Sequence, residues 1–457
     1  MNSKQNLLIF LCTATGLACG GGLETEQDVT DPQPPSVSWG FASSTAQIIQ
    51  QSVDPALCPS GWTALVEQLK QTGEDNLPAL QPQYVVRFKT LDEFTTSTKK
   101  ARPIIEQVPV LRVSLVWPCW VESEIWRSDI KSMLIALEES GYKIEIMLSH
   151  HDSYPIALHD PTPGFGIANS GWANDKAATS FKDYALSVVQ ELETILPPDT
   201  RVYVINEPVG MLFNSYLGAG TWPPGGKRAA TGFTRAMINM RDGLYEAIDY
   251  INDIGWESAI AKNIRPVKDS RNPEESTLDH IFNWWLLDAL VKGCQDDHFQ
   301  GECADNYKPS NVDVVGITYY GTMWIGDAQV ELSSDKSMPT LHLPFMDFSP
   351  DSVKFKEALR SLAHRYDDVQ VTVAEIGFND IEISKMATWL RSYRDAVVAL
   401  SKEEPRLIPS IHLHTLFESA EFDSGGYQFH VVEGACRDDE ICKLTSWGEE
   451  VMKIMEE

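Results

Sequence analysis

Val202-Tyr203-Val204-Ile205-Asn206-Glu207-Pro208 is a run of β-branched and aromatic side chains that stops on an amide, a carboxyl group and an imino acid. Its apolar start predicts a buried strand over 202–205, and Pro208 favours an extended rather than a helical backbone at the residue before it. Just upstream, Phe181, Tyr184, Ala185, Val188, Val189, Leu192 and Ile195 recur at helical spacing and make one apolar stripe. Ile130, Met133, Leu134 and Leu137 repeat the pattern one unit earlier. Other short strand-like runs fall at 37–41, 111–117, 143–148, 257–263, 312–318, 369–374 and 408–416, which with 202–205 makes eight. Strands alternating with helices imply parallel βαβ units, and eight of them imply an α/β chain folded as a single (β/α)8 TIM barrel. A doubly wound open sheet is the structural rival. It would want a glycine-rich turn after the first strand, and none is there.

A chain of 457 residues fits one such barrel. Hydrophobic residues make up 43% and charged residues 22%, the composition of a globular protein. With 65 acidic against 37 basic residues, the formal charge of -28 repels phosphate backbones and anionic lipid surfaces, which argues against nucleic acid as a partner. A solvated acidic surface is the ordinary account of that charge.

Lys4 precedes an apolar run over 7–17, too short to span a bilayer but suited to a signal peptide. The run closes on Gly16-Leu17-Ala18-Cys19-Gly20, which resembles a bacterial lipobox with Cys19 as the lipidated residue. Gly16 stands where a lipobox usually has leucine, so cleavage without lipid stays open. The expected layout is a signal peptide over 1–19, a Gly-, Pro- and acid-rich tether over 20–36 and the barrel over 37–457. The protein is thus expected to be exported, either anchored to the cell envelope by lipid at Cys19 or secreted.

Leaving aside Cys12 and Cys19, six cysteines remain, an even set that suits disulfides in an oxidising compartment. Proximity suggests Cys294 with Cys303 and Cys436 with Cys442, and elimination leaves Cys58 with Cys119. Acids in the two short loops (Asp296, Asp297 and Glu302; Asp438, Asp439 and Glu440) could hold calcium, but solvated loop acids are the plainer account.

In a barrel of this kind the strand C-termini build the site. Gln47 follows the first predicted strand and Arg112 sits in the second. His150-His151-Asp152 ends the third, Asn206-Glu207-Pro208 the fourth, Thr318-Tyr319-Tyr320 the sixth and Glu375 the seventh. His414 ends the eighth, with Glu421 and Phe422 just beyond. One glutamate at a strand end is more often a surface or capping acid. Two on strands that face each other suit cleavage of a glycosidic bond by double displacement, in which one carboxyl is protonated and the other, about 5–5.5 Å away, attacks the anomeric carbon. Arg112 and Tyr320 could donate to Glu375 and keep it ionised, separating acid from nucleophile. The paired histidines lack the carboxylate spacing of a zinc protease, so no metal and no cofactor is expected. No nucleophile-elbow motif supports serine catalysis. Trp222, Trp284, Trp285 and Trp324 read as core or rim packing, with Trp324 the best candidate among them for an aromatic at the substrate entry.

From about Trp39 to Lys453 the chain resembles glycoside hydrolase family 1, the β-glucosidase family. The motifs are Trp39-Gly40-Phe41-Ala42-Ser43-Ser44-Thr45-Ala46-Gln47-Ile48, Leu111-Arg112-Val113-Ser114-Leu115-Val116-Trp117-Pro118, His150-His151-Asp152 with Pro155 and Leu158, and Asn206-Glu207-Pro208. They continue with Asp313-Val314-Val315-Gly316-Ile317-Thr318-Tyr319-Tyr320, Val373-Ala374-Glu375-Ile376-Gly377, and Glu421-Phe422 with Gly426-Tyr427. The resemblance implies Glu207 as acid/base and Glu375 as nucleophile, with Arg112 and Tyr320 beside the nucleophile. It implies sugar contacts from Gln47, His150, Asn206, Tyr320, His414, Glu421 and Phe422. His151 and Phe422 stand where the family prefers tryptophan, Thr318 where it has asparagine, and Ile376 where asparagine follows the nucleophile. His414 replaces the tryptophan under the sugar, exchanging stacking area for a group that titrates near neutrality. A retaining β-glycosidase acting on β-glycosides or small oligosaccharides is the reading expected. A carbohydrate-binding lipoprotein without efficient turnover and a transglycosidase are the alternatives, and the sequence specifies neither sugar nor oligomeric state.

Overall fold

Eight parallel strands close on themselves: β1 (Ser38–Ser43), β2 (Val110–Ser114), β3 (Lys143–Met147), β4 (Arg201–Asn206), β5 (Glu257–Asn263), β6 (Val314–Thr318), β9 (Gln370–Ile376) and β10 (Leu407–Leu413). Around the barrel they run β1-β10-β9-β6-β5-β4-β3-β2, each beside its neighbour in sequence among the barrel strands, as a (β/α)8 TIM barrel requires. The computed structural model describes residues 36–457 except 73–86, 152–153, 163–165, 219–221, 227–228, 266–272, 300, 302, 304–307, 322–328, 333–338, 343–349, 378–381, 418, 422–424, 428–429, 435 and 437–440. The expected signal peptide, Cys19 and the tether as far as residue 35 therefore lie outside the described residues.

The helices form where the apolar stripes predict. Ala177–Leu192 buries Phe181, Tyr184, Ala185, Val188, Val189 and Leu192, and Glu124–Glu139 buries Trp126, Ile130, Met133, Leu134 and Leu137. Ser123 starts the latter by accepting the Trp126 amide at 3.2 Å, and Asp351 starts Ser352–Arg365 by accepting from Val353 and Lys354 at 2.9 and 3.0 Å. Four strands are shorter than expected, the third stopping at Met147 and the sixth starting only at Val314. The second stops at Ser114 because Pro118 opens the short helix Trp117–Glu122, a position where a missing amide costs nothing. The eighth ends at Leu413 rather than running to 416. Two small antiparallel hairpins, β7 (Gln329–Leu332) with β8 (Pro339–His342) and β11 (Ser419–Glu421) with β12 (Gly425–Tyr427), stand outside the barrel order. All three expected disulfides form, with Cα separations of 4.3 Å for Cys58–Cys119, 4.8 Å for Cys294–Cys303 and 5.1 Å for Cys436–Cys442.

Inside the barrel the packing is partly apolar and partly charged. Met147, Tyr203, Ala259, Ala261, Val314 and Ala374 make a small buried cluster. Beside it Glu145 sits 3.0 Å from His412 Nε2 and 3.3 Å from Arg201 Nη1. Burial alone would raise the Glu145 carboxyl, but His412, Arg201 and Arg112 outweigh it and hold it down at about 2. His412 fits because its register partner is Gly40: a Cβ there would come within 2.5 Å of the imidazole. Arg112 is the partner of Glu145 across β2 and β3, and its guanidinium lies 5.0 Å over the Tyr203 ring. This charged interior leads up to the mouth.

Candidate active site

Glu375, near the end of β9, is 3% exposed, and each of its carboxylate oxygens is held. Tyr320 donates its hydroxyl to Oε1, and Arg112 donates Nη2 to Oε2 while its Nη1 reaches the Ala374 carbonyl at 2.8 Å. His150 Nε2 lies 3.4 Å from the same Oε2. Burial would raise this carboxyl, but the His150 hydrogen bond and the charges of Arg112, His150 and His414 prevail, holding it well below the usual range and hence ionised. The following residue of the motif but one, Gly377, is needed for space: a Cβ would sit 2.8 Å from the Tyr320 ring and 3.0 Å from the His414 carbonyl.

Glu207 is placed differently. The residue before a proline was expected to be extended, yet Glu207 has φ 43° and ψ 51°, a left-handed conformation. The reason is local: its amide bonds to the Ala261 carbonyl of β5 at 2.9 Å while Pro208 already opens the next helix, so the chain must reverse within one residue. One hydrogen bond is made to its carboxylate among the described residues, from Thr318 Oγ1 to Oε1 at 2.5 Å. Thr318 is the register partner of Glu375 across β6 and β9. His150 links the two halves from the other side, since Asn206 Nδ2 lies 3.0 Å from the Nε2 that faces Glu375. Both carboxylates thus belong to one ring of side chains around the strand ends.

Of the other expected residues, Gln47 is buried in the turn Thr45–Ile48 after β1, a turn that Thr45 fastens to Ser114 at the end of β2 through bonds of 2.9 and 2.8 Å. His414 is 5% exposed, edge-on to Tyr320 with centroids 6.2 Å apart. The Glu421 backbone ends β11, its side chain is not described, and Phe422, Trp324 and Asp152 lie outside the described residues. Asp296 and Asp297 are engaged in protein contacts, with His280 at 2.8 Å and Arg241 at 2.5 Å, while Glu302 and 438–440 lie outside the described residues.

Two groups of side chains near the strand ends were not foreseen from the sequence. The first is aromatic: Trp222, buried in the core as expected, also lies 5.3 Å from His151 and 5.7 Å from Trp62, and with Tyr154, Trp172, Met211, Tyr216 and Pro223 lines a small cleft beside His151. Burial, reinforced by His150, pushes the His151 imidazole down to about 3, so it is neutral at physiological pH. The second is cationic. Lys262 of β5, fully buried, lies within electrostatic reach of Glu207, as does Arg265 two residues beyond the strand. Burial lowers both cations, Lys262 to about 7.

The closed parallel barrel thus carries at its strand ends one ionised, fully held glutamate, Glu375, and a second, Glu207, bonded to Thr318. No protein-family model and no curated protein sequence matches this chain. Solved structures do. The family 1 β-glucosidase from Thermotoga maritima aligns over 93% of this chain and 98% of its own with a TM-score of 0.72 at 16% identity. The same enzyme in complex with castanospermine aligns equally well, with a TM-score of 0.72. The β-glycosidase from the hyperthermophile Thermosphaera aggregans covers 93% of this chain and 96% of its own, with a TM-score of 0.72 at 17% identity. The fold is that of the family 1 β-glucosidases.

Proposed function

We propose that this protein is a retaining β-glycosidase hydrolysing β-glycosides or small oligosaccharides, with Glu375 as nucleophile and Glu207 as acid/base. The observation that carries this reading is the asymmetry of the carboxylates: Arg112, Tyr320 and His150 all face Glu375, whereas Glu207 receives one hydroxyl. In the first step a Glu375 oxygen bonds to the anomeric carbon as the bond to the leaving oxygen breaks, and Glu207 passes its proton to that oxygen. In the second, Glu207 takes a proton from water, the water oxygen bonds to the anomeric carbon, and the glycosyl ester on Glu375 breaks with its electron pair returning to the carboxylate. The Asn206 Oδ1 atom, buried without a hydrogen-bond partner among the described residues, is suited to a sugar hydroxyl. Gln47, His150, Tyr320, His414, Glu421 and Phe422 are the further sugar contacts of this reading.

A panel of 4-nitrophenyl β-glycosides tests it. Wild type should release nitrophenol with retention of anomeric configuration, and Glu375→Gln should lose about 10⁴-fold or more of that activity. Inverted product, or equal rates in the two proteins, sinks the assignment. Export with lipid at Cys19 is part of the proposal, and labelling by radioactive palmitate that Cys19→Ala abolishes is its check.

A further inference from the structure

Strand β5 alternates in a way that singles out its last residue. Ala259 and Ala261 face the buried cluster inside the barrel, and Lys262 turns the other way, its ammonium 4.9 Å from the Phe282 ring. Asn263 therefore returns to the inner face where the strand ends. It is 3% exposed, and its register partner on β6 is Thr318, the residue that donates to Glu207 Oε1.

The Asn263 amide has a fixed orientation. Lys262 Nζ, which can only donate, lies 3.0 Å from Oδ1, so the oxygen is turned toward the ammonium and the amino end away from it. That amino nitrogen, Nδ2, is buried and has no hydrogen-bond partner among the described residues, a costly state for a donor until an acceptor arrives. Gly210, in the helix Pro208–Leu212, locates what it faces. A Cβ there would lie 3.1 Å from Asn263 Nδ2 and 4.0 Å from Glu207 Oε2, so both atoms border the space that a side chain at 210 would fill.

We infer that Asn263 is a positioning residue for Glu207, donating Nδ2–H to Oε2 once that carboxyl group is ionised. The inference rests on the reading of Glu207 as acid/base. With Oε1 accepting from Thr318, the proton of the neutral acid belongs on Oε2, and it is Oε2 that is left bare when the proton passes to the leaving oxygen. A donor bonds a carboxylate more strongly than a carboxylic acid, so Asn263 favours the form of Glu207 that develops as the glycosidic bond breaks. Lys262 and Arg265 are the cations whose fields reach Glu207, and neither supplies it with a hydrogen bond among the described residues.

Phenyl and 2,4-dinitrophenyl β-glycosides of glucose, galactose, mannose and xylose test this, because the first aglycone needs a proton to leave and the second does not. On the phenyl glycoside of the accepted sugar, Asn263→Ala should lose about 10-fold or more in kcat/KM, against less than about 3-fold on the dinitrophenyl glycoside. The basic limb of its pH profile should move upward by about 0.5 or more in pH, since the carboxylate loses a donor. In the Glu207→Gln background the same substitution should cost less than about 2-fold on either aglycone, because the carboxyl group through which it acts is gone. If Asn263→Ala does not fold, Asn263→Asp replaces it with the same expectations, keeping the shape and the acceptor for Lys262 while removing the donor. Equal losses on both aglycones, a loss that persists in Glu207→Gln, or an unmoved basic limb overturns the role of Asn263 and leaves the glycosidase reading intact. If wild type cleaves none of the glycosides, that reading fails, and the ¹³C carboxyl resonance of Glu207, assigned by its disappearance in Glu207→Gln, decides the contact. Titration at higher pH in Asn263→Ala than in wild type supports it, and titration at the same pH in both overturns it.

Discussion

The two halves of the barrel mouth are built on opposite terms. On the side of β2, β3 and β9, Glu375 meets a guanidinium, a phenol and an imidazole, and the arginine beneath it is itself pinned to a backbone carbonyl. On the side of β4, β5 and β6, Glu207 has one threonine hydroxyl, a left-handed backbone and two cations that stop short of an ion pair. A group that must stay ionised is best surrounded by fixed donors, while a group that must give and regain a proton has to be left with fewer partners. In the proposed mechanism the contrast between the halves is one between a charge held constant and a charge meant to change.

The strongest way to break that contrast is Glu207→Gln. It should lower kcat/KM by about 10²–10⁴-fold for aglycones that leave poorly and far less for 2,4-dinitrophenyl glycosides, which depart without a proton. A uniform loss across leaving groups would mean that Glu207 is not the proton donor. Tyr320→Phe probes the other half and should cost less. Taking one donor from a carboxylate that keeps Arg112 and His150 should reduce kcat by roughly 10-fold and move the acid limb of the pH profile upward, because an ionised nucleophile loses support. An unchanged acid limb would show that Tyr320 does not sustain that ionisation.

The smallest effect concerns stability. The Lys262 amine titrates at about 7 in the folded protein and near 10.4 when unfolded. Between those values the unfolded chain binds more protons, so wild-type stability climbs with pH there, and the penalty of the buried charge is complete below pH 7. Lys262→Met should accordingly raise Tm by about 2 °C or more at pH 6 and by progressively less toward pH 10, read by calorimetry. A gain independent of pH would show that packing, not charge, sets the cost.

Most of the barrel was legible because buried parallel strands are written as short β-branched runs and their helices as stripes. Glu207 and Glu375 were legible because each sits in a motif at a strand end. The cationic pair was not: nothing in the pattern of Glu257–Asn263 marks its one lysine as buried, and only the packing of Phe282 against it in the fold does so. The aromatic cleft escaped for a similar reason, since Trp62, His151 and Trp222 are far apart in sequence and meet only when the loops fold over the mouth. The conformation of Glu207 ran against the proline rule because a bond to a neighbouring strand outweighed a local preference.

That conformation bears on the history of the chain. A left-handed residue with a long side chain sits at an energetic disadvantage that glycine or asparagine would remove. In a lineage that had ceased to need a carboxyl group there, drift would replace glutamate first at this position, well before the sealed interior began to change. If the proposed role of Glu207 holds, position 207 is the place where descendants of this chain would record its loss.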